Sequence, residues 1–228
     1  IVSTIDGRLQ EFAEELMEGK IGSIVAIEPS TGEILVMVSS PTYNPDLMVG
    51  RQRGNNYMDM LHNQRKPQFS RAIKENYPPG STFKLVQGLI GLQEGVLTPS
   101  QRYECNMGFH YGNRVQRCHS HRNNLNLREA VAHSCNAYFC YVFRNIITNK
   151  KYGNVKEGMR KWNEYVYSFG FGKALGVDMY GEYGGYVPTP EWLDEQNRGG
   201  WNWGTVMSCA IGQGEMASTP LQMANLAA

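Results

Sequence analysis

Long apolar runs are missing from this 228-residue sequence, and the longest, such as residues 34–38, are far too short to cross a bilayer. An excess of either charge is missing too: 22 Lys and Arg face 21 Asp and Glu, for a formal net charge of +1. That balance leaves no electrostatic footprint for a nucleic-acid partner, and short basic pieces such as Arg51-Gln52-Arg53 read as solvated surface. No leader peptide is recognisable and the first residue is Ile1. The chain is therefore expected to be either soluble throughout or an excised piece of something larger. A paired set of cysteines is also lacking. Cys105, Cys118, Cys135, Cys140 and Cys209 are odd in number and exclude a complete disulfide framework within the chain. What remains is an ordinary globular balance, 41% hydrophobic and 19% charged, at a length that suits one large domain.

Periodicity outlines the elements. Leu9, Phe12, Ala13, Leu16 and Met17 recur at helical spacing, with Gly19 as a stop. Residues 23–28 and 33–39 read as strands joined by the turn Pro29-Ser30-Thr31-Gly32. Residues 41–68 are polar and poor in periodicity, and read mainly as a long surface connection. Residues 81–93 form a helix whose apolar positions cover most of its circumference, so it is expected to be buried nearly all round. Gly88 and Gly91 allow neighbours to approach it closely, and Gly95 is its expected stop. Asn126 with Glu129 predicts a capping box opening a short helix to His133. Ser134-Cys135-Asn136 then interrupts, and a second helix follows through Tyr138, Phe139, Val142, Phe143 and Ile146. Another amphipathic helix runs through Val155, Met159, Trp162 and Val166 to Gly170, whereas residues 105–125 and 181–203 read as irregular. Thr219-Pro220 starts a last helix that meets no stop before Ala228, so the chain is expected to end inside it.

The chemistry concentrates in Ser81-Thr82-Phe83-Lys84. A serine needs a partner to take its proton before it can attack a carbonyl at neutral pH. Residues i and i+3 share a helix face, so Lys84 stands beside Ser81. A lone Ser-x-x-Lys is weak, since about one chance match is expected in a chain of this length. The context adds weight. Pro78-Pro79-Gly80 fits a sharp entry into a helix with Ser81 in its first turn, where the helix dipole favours charge developing on the serine oxygen. Lys84 falls on an apolar helix, where desolvation lowers a lysine's pKa and fits it to act as a base. The structural alternative is a capped helix with a snorkelling lysine.

The stretch Tyr77-Pro78-Pro79-Gly80-Ser81-Thr82-Phe83-Lys84 resembles the first active-site motif of the penicillin-binding proteins. Ser134-Cys135-Asn136 stands where their second motif belongs, the segment Ile211-Gly212-Gln213-Gly214 and onward to Asn225 looks like what precedes their third, and the hairpin near Pro29 is similar to their opening one. The resemblance covers nearly the whole chain in the right order and is nearest to the elongation-type class B enzymes. It implies an α/β fold of the α+β type, shared with serine β-lactamases, in which an antiparallel sheet is flanked by helices. It also implies a peptidoglycan D,D-transpeptidase that is the target of β-lactam antibiotics and works in cell elongation. Ser81 is then the nucleophile, Lys84 the base that takes its proton, Ser134 the relay toward the leaving amine, and Asn136 the residue that binds the substrate amide. The backbone N–H of Ser81 forms half of an oxyanion hole. The family's third motif, Lys-Thr-Gly or Lys-Ser-Gly, occurs nowhere in the sequence and is expected beyond Ala228. Residues 1–228 are accordingly expected to be one transpeptidase domain cut before that motif and impaired on its own, without its membrane anchor and pedestal region. The implied location is the inner membrane with the catalytic part in the periplasm. The implied partners are stem peptides, β-lactams, a glycosyltransferase and elongation-complex proteins. A serine β-lactamase, a β-lactam sensor and a non-catalytic cell-wall scaffold are the competing readings.

Cys105, Cys118, His119, His121, His133 and Cys135 crowd the segment between the two motifs. Cys-x12-Cys-x2-His-x13-Cys supplies four donors for a tetrahedral ion, and thiolate sulfur suits zinc. The resemblance points the same way, because some relatives hold zinc beside the second motif. The expected ligands are Cys105, Cys118, His121 and Cys135, with His119 as an alternative to His121, and with a Cys105–Cys118 disulfide as the alternative to a metal. Cys140 and Cys209 read as buried packing residues.

Overall fold

The computed structural model describes residues 2–228. They fall into two compact units, one formed by residues up to 77 with 174–184 and 218–228, the other by 78–173 and 185–217.

The first unit is built on the expected hairpin. After the helix α1 (Gly7–Leu16), strands β1 (Gly22–Ile27) and β2 (Ile34–Ser40) pair antiparallel, with Val25 opposite Met37 and a bulge after Ala26. Alternation then sends side chains to two faces. Ile24, Ala26, Val36 and Val38 meet Ala13 and Met17 of the preceding helical segment. Residues 41–68 differ from the surface connection expected of them, for they contain a single 3-10 turn (Pro45–Met48) and the helix α2 (Arg53–His62). Only Met60 of α2 is buried, so the helix carries almost no apolar stripe from which to read its period. The short α3 (Arg71–Lys74) and the last helix (Pro220–Ala227) cover the second face of the hairpin, where Ala72, Ile73 and Leu221 pack with Val25, Ile27, Ile34 and Met37. That last helix opens on a complete capping box, with Thr219 accepting from Gln222 N–H (3.2 Å) and Gln222 accepting from Thr219 N–H (3.0 Å).

The second unit begins with α4 (Phe83–Gln93) and the hairpin of β3 (Gly108–Tyr111) and β4 (Arg114–Arg117), followed by α5 (Leu127–Ala132), α6 (Asn136–Ile147), α7 (Val155–Ser168) and α8 (Pro190–Asn197). Its core is α6, which buries Tyr138, Phe139, Cys140, Val142, Phe143, Ile146 and Ile147, each of the large ones stabilising by roughly 1.5–3 kcal/mol. Trp162 of α7 fills the centre, edge-on to Phe143 (5.2 Å between ring centres) and Phe83 (5.9 Å), and its indole N–H donates to Gln87 of α4 (2.9 Å). Gly91 lies so near α6 that a Cβ there would stand 2.6 Å from the Val142 side chain, which is the close approach its place in α4 anticipates.

Three expectations are corrected in this unit. The helix α4 is not buried all round, because Leu85 and Leu89 are each 52% exposed. Apolar composition sets how much surface a helix can bury, not which side finds a partner. The segment 105–125 is not irregular throughout, since it holds the β3–β4 hairpin, whose Gly112-Asn113 turn is flanked by too few apolar residues to announce strands. Residues 181–203 contain α8, capped by Thr189 with Pro190 in its first turn, and its two buried residues, Pro190 and Leu193, leave too small a pattern to see.

Glu94, just past α4, has a buried side chain that accepts from Tyr165 (2.8 Å), from the Tyr152 hydroxyl, and from Lys151 (2.7 Å). Burial works to raise its pKa, but these donors outweigh it and hold the carboxyl below its ordinary value of 4.5. A group held below its unfolded value contributes stability that is present above pH 4.5 and lost as pH falls through the lower folded value. Chemical denaturation at a series of pH values should therefore show that wild type loses stability on acidification and that Glu94→Gln loses less. At pH 7 the variant should be less stable by roughly 1–3 kcal/mol, the worth of hydrogen bonds to a charged group.

Candidate active site and cysteine–histidine cluster

Ser81 lies in the 3-10 turn Gly80–Thr82 that runs directly into α4. The turn is closed by the Thr82 hydroxyl donating to Pro79 C=O (2.6 Å) and tied down by Gly80 N–H donating to Gly212 C=O (2.8 Å). Gly212 has φ +66°, and a Cβ on it would stand 2.5 Å from Gly80 C=O and 2.6 Å from Phe83 Cβ. Only glycine fits there. Phe83 is fully buried against Trp162 and Phe171 (5.6 Å), which fixes the first turn of α4 from inside. Ser81 itself is exposed.

Lys84, one turn later, is only 3% exposed. Its Nζ is 3.1 Å from Ser81 Oγ, 2.8 Å from Ser134 Oγ, 2.7 Å from Ser134 C=O and 2.6 Å from Asn136 Oδ1. Ser134 presents both oxygens because it adopts φ +47° at the junction of α5 and α6, a left-handed conformation that the short polar side chain tolerates. The junction is set on one side by the Asn126–Glu129 capping box of α5 and on the other by Cys135, whose Sγ accepts from Tyr138 N–H (3.4 Å) as the cap of α6. The Asn136 amide is oriented by its own NH2 group, which donates to Arg117 C=O (2.8 Å) and so turns Oδ1 toward Lys84.

This geometry determines what Lys84 can do. Asn136 Oδ1 and Ser134 C=O can only accept, so they take two N–H bonds of the amine. The third position points at the hydroxyls of Ser81 and Ser134. Charged, the amine donates there; neutral, it offers a lone pair that can receive a hydroxyl proton. Burial lowers the Lys84 pKa from the ordinary 10.5 and so favours the neutral form. A serine beside a buried amine whose pKa is lowered is the arrangement of a serine acyl-transfer site.

The structure also brings Cys105, Cys118, His121 and Cys135 together, with their donor atoms all within 4.8 Å of one another. The five cysteines are free thiols, and Cys140 and Cys209 are buried apart from this group, as packing residues should be. His121 Nε2 is 3.2 Å from Cys118 Sγ, and its Nδ1 is 2.7 Å from Arg122 C=O, which leaves the Nε2 lone pair facing the sulfurs when Nδ1 carries the proton. His119 packs edge-on to His121 (5.4 Å) outside the four-donor group, and the exposed His133 stacks on the His121 ring (5.7 Å). Burial raises the thiols of Cys105 and Cys135. Burial works the same way on Cys118, but the N–H of Asn136 (3.3 Å) and the His121 ring outweigh it and hold that thiol below its ordinary value. The residues missed by sequence reasoning are the clamps, Arg117 through its carbonyl and the Gly80–Gly212 pair. Gly212 was visible only inside a resembling segment, and a backbone carbonyl leaves no trace in a sequence.

Comparison with known proteins agrees with the chemistry. The family model described as the penicillin binding protein transpeptidase domain matches residues 22–228, and the chain belongs to that family. It is 34% identical over 225 residues to the peptidoglycan D,D-transpeptidase MrdA of Acinetobacter baumannii, a match that covers 97% of this chain and 32% of the relative. Penicillin-binding protein 2 of Pseudomonas aeruginosa, solved in complex with WCK 5153, superposes with a TM-score of 0.87 at 34% identity, covering 99% of this chain and 50% of that one. Penicillin-binding protein 2 of Helicobacter pylori, solved in a complex with MreC, gives a TM-score of 0.84 at 29% identity over 96% of this chain and 40% of that one. The chain thus spans about a third of the length of the curated relatives it matches.

Gly212→Ala should crowd the Ser81 turn as well as strain the backbone. Gly199 also has positive φ (+74°) but has nothing within 4 Å of where a Cβ would stand. Denaturant titration is expected to show Gly212→Ala destabilised by roughly 1–3 kcal/mol more than Gly199→Ala, the usual cost of overpacking. Equal losses would mean that the Gly80–Gly212 approach is not a tight one.

Proposed function

We propose that this chain carries the acylating centre of a peptidoglycan D,D-transpeptidase, with Ser81 as nucleophile and Lys84 as its base. The observation that supports this most is the buried Lys84 amine, 3.1 Å from Ser81 Oγ and held by Ser134 and Asn136. In the proposed reaction, neutral Lys84 takes the Ser81 proton as Oγ bonds to the penultimate carbonyl of a D-Ala-D-Ala stem. Charge developing on the carbonyl oxygen faces the backbone N–H of Ser81 at the head of α4. The tetrahedral adduct collapses with cleavage of the C–N bond, and the proton returns from Lys84 through the Ser134 hydroxyl to the departing D-alanine amine. An amine from a neighbouring stem then attacks the ester carbonyl, Lys84 takes the amine's proton, the bond from the carbonyl carbon to Oγ breaks, and Lys84 hands the proton to Ser81 Oγ, which restores the serine. Asn136 holds both Lys84 and the substrate amide. The whole protein is proposed to sit in the inner membrane by an anchor, with this part in the periplasm, and no helix among the described residues is long and apolar enough to cross a membrane. Its partners are proposed to be a glycosyltransferase and elongation proteins of the MreC type, in line with the H. pylori complex.

We further propose that Cys105, Cys118, His121 and Cys135 hold a structural zinc ion. Three buried sulfurs and one imidazole nitrogen within 4.8 Å suit a closed tetrahedral site. Bound there, zinc would pin the base of the β3–β4 hairpin, and it would have no part in the proton transfers.

Intact-mass spectrometry of the whole protein with a penicillin should show the drug's full mass on Ser81, persisting for many minutes and absent in Ser81→Ala. Labelling that survives the substitution would overturn the assignment, and fast loss with hydrolysed drug would move it to a β-lactamase. The acylation rate should rise with pH as Lys84 loses its proton and level off below the ordinary lysine value of 10.5.

Elemental analysis of protein purified without added metal should find about one zinc per chain. Chelation should lower the melting temperature, because metal binding to such a site is folding free energy. No metal, with a Cys105–Cys118 disulfide in a non-reducing peptide map, would refute the zinc site.

A further inference from the structure

The tip of the β3–β4 hairpin lies away from both groups described above. Between that tip, residues 111–114, and the loop 202–205 is a cleft of about 460 Å³, within the roughly 300–1,000 Å³ usual for small-molecule sites. Its aromatic surface is Tyr111 and Trp203, with ring centres 5.8 Å apart and planes tilted by 49°. Trp203 is held from behind. Arg144 of α6 places its guanidinium 5.8 Å from the Trp203 ring centre and 5.6 Å from that of Phe109, and Phe109 meets Trp203 edge-on at 6.2 Å. The polar rim is Asn113, Arg114, Asn202 and Thr205, all exposed. Asn202 Oδ1 accepts from Gly204 N–H (2.8 Å), and this fixes the amide with its NH2 group available to donate. Arg114 makes no ion pair with any described residue.

Fixed ring faces beside amide and hydroxyl groups suit a sugar ring, whose C–H faces stack on aromatics while its substituents hydrogen-bond at the edge. A free guanidinium at the rim adds recognition of a carboxylate. A peptide strand is a poorer fit, because only the end residues of β3 and β4, Tyr111 and Arg114, line the cleft and leave too short an edge to extend. With one unpaired arginine and a net charge of +1, the cleft is no track for nucleic acid.

We propose that this cleft binds the glycan backbone of an acidic amino-sugar polymer, with a sugar ring on Tyr111 and Trp203, its acetamido and hydroxyl groups on Asn113, Asn202 and Thr205, and its carboxylate on Arg114. The proposal rests on the peptidoglycan reading given above. Strand β4 runs from Arg114 at the cleft to Arg117, whose carbonyl holds Asn136, three steps of about 3.3 Å and so roughly 10 Å. The carboxylate read by Arg114 belongs to a sugar that carries no stem, so the cleft takes a stretch of strand beside the stem that the Ser81 site receives.

The test uses the intact protein and glycan strands stripped of their stem peptides by an amidase. Saturation-transfer NMR should show sugar protons in contact with the protein, and calorimetry should give an affinity that falls as salt is raised. Arg114→Gln should weaken binding about three- to fivefold, as for a partly exposed ion pair, and remove the salt dependence. Tyr111→Ala should weaken it about tenfold or more, in line with stacked aromatic contacts. Neutral chitotetraose should bind wild type no better than the stripped strand binds Arg114→Gln. Both variants should keep wild-type melting temperatures within a few degrees and wild-type penicillin labelling of Ser81. Should Tyr111→Ala fail to fold, the exposed Arg114→Gln and chitotetraose carry the test. Absence of glycan binding, or binding unchanged in Arg114→Gln, would overturn the proposal. Penicillin labelling of Ser81 without glycan binding would sink the cleft alone, and glycan binding without labelling would sink the acyl-transfer reading instead.

Discussion

The buried amine of Lys84 is the interaction on which the second unit's polar centre depends. Leaving a charged amine in such a place without partners would cost several kcal/mol. Here four oxygens from three local structures surround it: the 3-10 turn through Ser81, the left-handed Ser134 at the α5–α6 junction, and the first turn of α6 through Asn136. The amine therefore stitches α4 to that junction. Removing any one of these oxygens would leave the other bonds in place but change where the third position of the nitrogen points. The energetic effects of the four residues should be coupled, not additive.

A second set of restraints converges on the same asparagine. Asn136 donates its backbone N–H to Cys118 Sγ and its side-chain NH2 to Arg117 C=O, two consecutive residues at the base of the hairpin. The cysteine–histidine group thus lies next to the Lys84 network, joined to it through the backbone around residues 134–136, and charge on Cys118 or Cys135 works against the lowering of the Lys84 pKa by burial. At the tip of the hairpin, Tyr111 meets Trp203, which Arg144 and Phe109 back. The hairpin is fastened at base and tip by unrelated means, sulfur and imidazole at one end and aromatic contacts at the other. This explains how a four-residue pair of strands, too short to be stable alone, holds a definite position.

How much of this was legible depends on the range of the signal. Asn126 with Glu129, Thr219-Pro220 and the Pro29-Ser30-Thr31-Gly32 turn are local chemistry, and each formed where the sequence placed it. Ser81 and Lys84 at i and i+3 are equally local. The four metal-type donors, spread over residues 105–135, were readable because Cys and His are few and their clustering stands out. The elements α2, α8 and the β3–β4 hairpin were missed for the opposite reason: each buries one or two large side chains, and periodicity needs more positions than that to show. Leu85 and Leu89 show a further limit. They match the buried positions of α4 in kind, and only the placement of neighbours distinguishes the two faces. The clamps at Gly212 and at Arg117 C=O are backbone features and had no residue-type signature to read.

The contrast in exposure between Ser81 and Lys84, three residues apart, follows from the way the helix begins. A nucleophile of the kind proposed has to lie at the surface, whereas burial, which lowers a lysine's pKa, suits the base proposed for it. On a uniform helix the two would share one face and one environment. Here Ser81 belongs to a 3-10 turn and Lys84 to the α-helix that continues it, and the buried Phe83 stands between them. Ser81 keeps the exposed start of the turn, while Phe83 anchors the following turn against Trp162 and Phe171. The Gly80–Gly212 approach braces the turn from the other side. An apolar core thus sets the electrostatic state of the amine, and the backbone geometry of one short turn sets its reach to the hydroxyl. Neither property belongs to the Ser-x-x-Lys pattern itself, so the pattern alone is weak while the pattern in this setting is chemically specific.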